Sequence, residues 1–133
     1  MKSSRSEFVA LRGLNMHFRH WGNPDAPKLF MVHGWMDVAD SFQFVVDALR
    51  HGRHILAPDW RGYGLTQAET DNFWFPDYLA DLDALLDHFV PDGQIDLLGH
   101  SMGGNVAMMY AGVRPGRIRR LINLEGFGMA PTH

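Results

Sequence analysis

The stretch Gln94-Ile95-Asp96-Leu97-Leu98-Gly99-His100-Ser101-Met102-Gly103-Gly104-Asn105 decides how the chain folds. Its apolar residues, Ile95, Leu97 and Leu98, read as a buried strand. The run ends in Gly99-His100-Ser101-Met102-Gly103, and a helical pattern follows at once. Val106, Met109, Tyr110 and Val113 stand at i, i+3, i+4 and i+7, which predicts a helix with those four on its inner face. Strand, G-x-S-x-G and helix together are the setting of a nucleophile elbow. A strand that reverses into a helix within a few residues holds its central residue in strained geometry. Gly99 and Gly103 remove the Cβ atoms that would collide where the two elements nearly touch. Ser101 is pushed out at the tip, with the free N–H groups of the helix start behind it. A tight turn that merely contains Ser is the plainer alternative; it does not require the flanking strand and helix.

Working outward, residues 7–12 and 14–21 alternate apolar and polar around Gly13, the pattern of a hairpin of half-buried strands. Residues 29–32 and 54–58 are continuous apolar runs, the pattern of strands covered on both faces. Between them a helix is expected from Ser41, capped by Asp40 or Ser41, with Phe42, Val45, Val46 and Leu49 inward and Gly52 as its C-cap. A second helix is expected over 76–89, and a last strand over 117–124. Strands alternating with helices predict an α/β fold, a mostly parallel sheet with helices on both faces and an antiparallel first pair. Ligands bind such sheets beyond the C-terminal ends of the strands. His33-Gly34-Trp35, the Gly-punctuated loop from Asp59 to Thr66, Ser101 and Glu125 all fall at that edge.

With 133 residues, 46% of them hydrophobic, the chain suits one globular domain. A net charge of −3 argues against nucleic acid or an anionic membrane as the main partner. The absence of cysteine excludes disulfides and Cys-ligated zinc. Residues 1–13 hold no apolar run of the signal-peptide kind, and no run reaches the roughly 18 apolar residues of a membrane span. A cytoplasmic protein without cofactor or metal is the expectation.

Three motifs in order now carry a resemblance: His33-Gly34-Trp35, Asp59-Trp60-Arg61-Gly62-Tyr63-Gly64-Leu65-Thr66, and Gly99-His100-Ser101-Met102-Gly103-Gly104. Together they resemble the α/β-hydrolase superfamily, in its Ser-nucleophile, esterase-like branch. The tail Asn123-Leu124-Glu125-Gly126-Phe127-Gly128 is similar to the serine hydrolase-like group within it. The resemblance implies that Ser101 is the nucleophile, and that the backbone N–H groups of Met102 and Trp35 form the oxyanion hole. It gives His33, Gly34, Gly99, His100 and Gly103 supporting places around these, and makes Asp59 and Arg61 a carboxylate–guanidinium pair that ties their loop together. Ser at the elbow sets the chain apart from the haloalkane dehalogenases and epoxide hydrolases of the same fold, which carry Asp there.

The family order is Ser, then acid, then His, with the acid usually after a seventh strand, His after an eighth, and a lid after the sixth. Six strands are readable here. The expectation is a single partial domain over 1–133, the N-terminal half of such an enzyme, without lid or C-terminal strands. Glu125, after the sixth strand, is a candidate acid, and His133 a candidate base that an extended chain could bring to Ser101. The substrate would be a small acyl compound, met once a C-terminal half is supplied; the strand over 117–124 would pair with that half or with a second copy. The competing class is a non-catalytic binding or assembly module that keeps the sheet.

Other residues receive ordinary readings. His17, His20, His51, His54 and His88 read as partly exposed histidines. Trp35, Trp60, Phe73 and Trp74 read as packing residues rather than as the lining of an acyl pocket. Asp77, Asp81 and Asp87 read as the solvated face of a helix, and Arg114, Arg117, Arg119 and Arg120 as a solvated cluster.

Overall fold

The computed structural model describes residues 3–34, 39–49, 52–66 and 75–124. Six strands form one sheet: β1 Ser4–Leu11, β2 Leu14–Trp21, β3 Lys28–Val32, β4 His54–Pro58, β5 Ile95–His100 and β6 Ile118–Leu124. Their order across the sheet is β1-β2-β4-β3-β5-β6. β2 runs antiparallel to both neighbours, while β4, β3, β5 and β6 are mutually parallel. Three helices connect them: α1 Gln43–Ala48, α2 Phe75–Phe89 and α3 Met102–Val113. No helix among the described residues is long and apolar enough to cross a membrane.

The β1–β2 turn needs two left-handed residues, and Arg12 (φ +48°) with Gly13 (φ +76°) provides them, the geometry that matches the twist of the flanking strands. In the central strands both faces are buried, and side chains alternate between two cores. Phe30, Val32, Leu56 and Leu97 join Phe18 under α2 and α3, where Leu82, Leu85, Leu86, Val106 and Tyr110 pack. Leu29, Met31, Ile55, Ala57 and Leu98 join Trp21 on the other face, under Phe42 and Val46. Burying a side chain of this size contributes roughly 1.5–3 kcal/mol.

Two helix expectations are corrected. α1 is shorter than expected, because a 3-10 turn, Ala39–Phe42, occupies its first residues and the chain is already extended at Leu49. Its N-cap is Phe42, with no side-chain cap, rather than Asp40 or Ser41. Gly52, left-handed at φ +103°, belongs to the approach to β4. In α3, Val106 and Tyr110 are buried, but Met109 and Val113 are exposed, Val113 by 71%. The inner face runs instead through Gly103, Gly104, Val106, Ala107 and Tyr110. The helix starts so close to the sheet that glycines, not long apolar side chains, fill its first turn.

Candidate active site

Ser101 links β5 to α3 with φ +56° and ψ −118°, a conformation that residues with a Cβ rarely adopt. Its own N–H donates to the Leu124 carbonyl at the end of β6, 2.8 Å away, and its carbonyl accepts the Asn105 N–H at 3.1 Å. Both backbone groups are thereby fixed while the side chain makes no helix-capping hydrogen bond. A Cβ on Gly103 would come within 2.6 Å of the His33 carbonyl oxygen, and one on Gly99 within 2.6 Å of Gly104 Cα. Only glycine permits this approach of α3 to β3 and β5. As the first residue of α3, Met102 has an N–H with no acceptor inside the helix. His100, just before Ser101, is half-buried at the end of β5.

β3 delivers the second part of the site. A Cβ on Gly34 would meet Ser101 Cβ at 3.0 Å and the His100 carbonyl at 3.2 Å, so the backbone at Gly34 lies against Ser101. His33 is fully buried. The Trp60 N–H donates to His33 Nε2 at 3.0 Å, which leaves Nδ1 protonated to donate to the Gly34 carbonyl at 2.7 Å. The Trp60 indole N–H donates to the His33 carbonyl at 2.8 Å. With both ring nitrogens engaged, His33 fixes the loop and is not available to Ser101 as a base. Trp60 is itself fully buried, edge-on to Tyr78.

Asp59, at the end of β4, fastens the edge of the sheet. One carboxylate oxygen accepts the Ala39 N–H at 2.7 Å; the other accepts the Leu65 N–H at 3.1 Å and meets His17 Nδ1 at 2.7 Å. Gly34 is thus held through His33, and Ala39 through Asp59. Trp35, the expected second oxyanion donor, lies outside the described residues. So do Glu125, His133, Phe73, Trp74 and His51.

The expected Asp59–Arg61 pair does not form. Arg61 instead makes a two-pronged contact with Asp81 on α2, at 2.7 and 2.9 Å, and Arg12 reaches the same carboxylate at 2.8 Å. The Asp81 hydrogen bond raises the Arg61 pKa. Asp81 is buried, not solvated. Its helical spacing resembled that of Asp77 and Asp87, and only the loop folding onto α2 distinguishes it. Arg117 is likewise buried, donating to the Gly93 and Val90 carbonyls. Arg119 pairs with Asp96, which also binds Arg53; these bonds hold the Asp96 carboxyl at about 2, with Arg119 contributing most.

His17, His20 and His54 are buried rather than partly exposed. Alternation along β2 hid this for His17 and His20, because β2 is flanked on both sides and its outward-looking positions are covered. His20 Nδ1 lies 2.9 Å from His54 Nε2, and His20 Nε2 lies 2.8 Å from Glu7. This cluster sits at the opposite end of the strands from Ser101. Among the described residues no imidazole is in hydrogen-bond contact with Ser101 Oγ, and no group of three His, Cys, Asp or Glu is arranged to hold a metal.

The arrangement therefore offers a forced, outward Ser hydroxyl at a helix N-terminus, beside a close-packed glycine from the next strand. Comparison with known proteins agrees with that geometry. Residues 27–133 match the alpha/beta hydrolase fold family. A serine hydrolase-like protein of Danio rerio is 31% identical over 114 residues, covering 84% of this chain and 35% of its own length. The AB hydrolase superfamily protein YfhM of Bacillus subtilis is 30% identical over 131 residues, 94% of this chain and 44% of the relative. The thioesterase domain from the curacin biosynthetic pathway superposes with a TM-score of 0.82 at 29% identity, over 90% of this chain and 45% of that domain. The chain thus spans less than half the length of these relatives. The elbow, the sheet order and the family match lead to one conclusion: the chain belongs to the alpha/beta hydrolase fold family.

Proposed function

We propose that this chain supplies the nucleophile and the first oxyanion donors of a serine hydrolase acting on esters or related acyl compounds. The observation that supports this best is Ser101 itself, a non-glycine residue held at φ +56° with its N–H and carbonyl both tied to neighbouring elements. Ser101 Oγ attacks the substrate carbonyl carbon while a base takes its proton. The Met102 N–H, joined by that of Trp35, receives the oxyanion; each such donor is worth about 3–4 kcal/mol. The alcohol departs with a proton from the base, and water then releases the acid. Base and acid come from outside the described residues, from Glu125 and His133 or from a complementary half.

The test is hydrolysis of a p-nitrophenyl ester by three proteins: this chain, its Ser101→Ala variant, and the chain fused to the C-terminal part of the Bacillus subtilis relative. We expect no Ser101-dependent turnover from the chain alone and Ser101-dependent turnover from the fusion. A folded fusion without it overturns the reading. Ser101-dependent turnover by the chain alone with a neutral pH profile would identify His133 as the base. The second reading, a non-catalytic assembly module, is favoured by the exposed apolar residues on β6, Ile122 and Leu124.

A further inference from the structure

A second serine stands in contact with an oriented imidazole, away from Ser101. His17 Nδ1 lies 2.7 Å from Asp59 Oδ2, and His17 Nε2 lies 3.0 Å from Ser6 Oγ. Asp59 also accepts two backbone N–H groups, from Ala39 and Leu65. Beside a carboxylate the neutral imidazole carries its proton on Nδ1, and Nε2 then presents its lone pair to the Ser6 hydroxyl. His17 is buried and its ring is tilted against that of Phe8, with centroids 5.0 Å apart, whereas Ser6 is exposed on β1. The base is thus sheltered and the hydroxyl open to solvent.

The strand register adds a charge. Ser6 pairs with Arg19 across the β1–β2 ladder, and Ser4, Ser6, Phe8, His17 and Arg19 share one face of the hairpin. Side chains directly opposite each other stand about 5 Å apart at Cβ. Arg19 Nη1 reaches Ser4 Oγ at 3.5 Å, which keeps its positive charge over the hairpin beside Ser6. Among the described residues, the charged groups on this side of His17 are the Asp59 carboxylate, just past β4, and Arg19 from its own strand; β1 contributes Ser4, Ser6 and Phe8, all neutral.

We propose that Ser6 is a second acyl-accepting nucleophile, with His17 as its general base, Asp59 positioning the imidazole, and small activated esters as its substrate class. Ser6 Oγ forms a bond to the carbonyl carbon as its proton passes to His17 Nε2. The bond from that carbon to the leaving oxygen then breaks, and His17 returns the proton to the departing alcohol. Arg19, opposite Ser6 in the ladder, is the positive charge nearest in register to the oxygen that turns negative in between. The product is O-acyl-Ser6. This assignment is independent of Ser101.

Ser4, on the same strand and the same face but without an imidazole contact, is a built-in control. General-base assistance is worth about 100- to 10,000-fold. The Ser101→Ala chain is treated with p-nitrophenyl acetate, quenched in acid and mapped by peptide mass spectrometry. We expect acetyl on Ser6 at least about 100-fold faster than on Ser4. Ser6→Ala removes the adduct, and a folded His17→Gln variant lowers it to the Ser4 rate. Equal labelling of Ser4 and Ser6 overturns the proposal even if His17→Gln does not fold.

Discussion

The Ser101 N–H and the Leu124 carbonyl are joined at 2.8 Å, so the candidate nucleophile is fastened to the last residue of β6. The bond holds Ser101 in a left-handed conformation that an L side chain adopts at a cost of about 1–2 kcal/mol. Ser101→Gly relieves that strain, and we expect it to raise stability in urea by about 1 kcal/mol, while Ser101→Ala leaves it near the starting value. A glycine variant no more stable than the alanine variant would show that residue 101 bears no strain.

Two glycines of α3 should respond in opposite ways to alanine. At Gly103 the added methyl runs into the Val32 and His33 carbonyl oxygens, which are backbone and cannot step aside. Overpacking typically destabilises by about 1–3 kcal/mol, and against fixed backbone the upper end or complete failure to fold is expected. At Gly112 no atom lies within 4 Å of the new Cβ, and alanine should stabilise the helix by up to about 1 kcal/mol. Thermal melts of the two variants check the contrast; similar melting temperatures would contradict the close approach of α3 to β3.

Acid should weaken the fold in two stages. Burial lowers the pKa of both His20 and His54, the latter to about 4, against the opposing pull of Glu7 on His20 and with Arg5 and Lys28 nearby. The unfolded chain accepts protons near pH 6.5 that the folded one refuses, so stability is full above that pH and declines from about 6.5 toward 4. Asp96 acts lower down. With its carboxyl held at about 2, its contribution is present above the ordinary carboxylate range and is lost as pH falls from about 4 toward 2. Urea midpoints across pH should show His54→Gln flattening the upper stage and Asp96→Asn the lower. An unchanged upper slope in folded His54→Gln would remove this cluster as the cause.

Association is expected through β6. It is an edge strand whose outer backbone groups have no neighbour among the described strands, and Ile122, 45% exposed, stands on it with Leu124. Met108, Met109 and Val113 extend the apolar surface along the outer side of α3. Such an edge pairs readily with another strand. Light scattering over a concentration series should show the chain self-associating and Ile122→Lys reducing it. A wild-type chain that stays monomeric at high micromolar concentration would show the edge to be protected.

Legibility in the sequence followed the range of the interaction. The strand over 54–58 is bounded as expected, since a short apolar run between turn residues depends on neighbours close in sequence. The elbow was legible because Gly99, Ser101 and Gly103 respond to a local reversal. Asp81 and Arg117 were not: each is buried by a partner about 20 or more positions away, Arg61 for one and the Val90 and Gly93 carbonyls for the other. Periodicity reports which face of a helix is apolar, not which acidic residue a distant loop will cover. His17 escaped notice for the same reason, since the carboxylate against its ring, Asp59, stands 42 positions away, just past the end of β4.

The strand order also sets a timetable for a chain made from its N-terminus. β1 and β2 can zip together as soon as both exist, but β3 lies between β4 and β5, and its second neighbour ends at His100. Phe30, Met31 and Val32 must wait for some 70 further residues, roughly 3 to 14 s at 5–20 residues per second. Throughout that interval the most apolar strand of the sheet has an open side, and chaperone demand during synthesis should peak there rather than at the end.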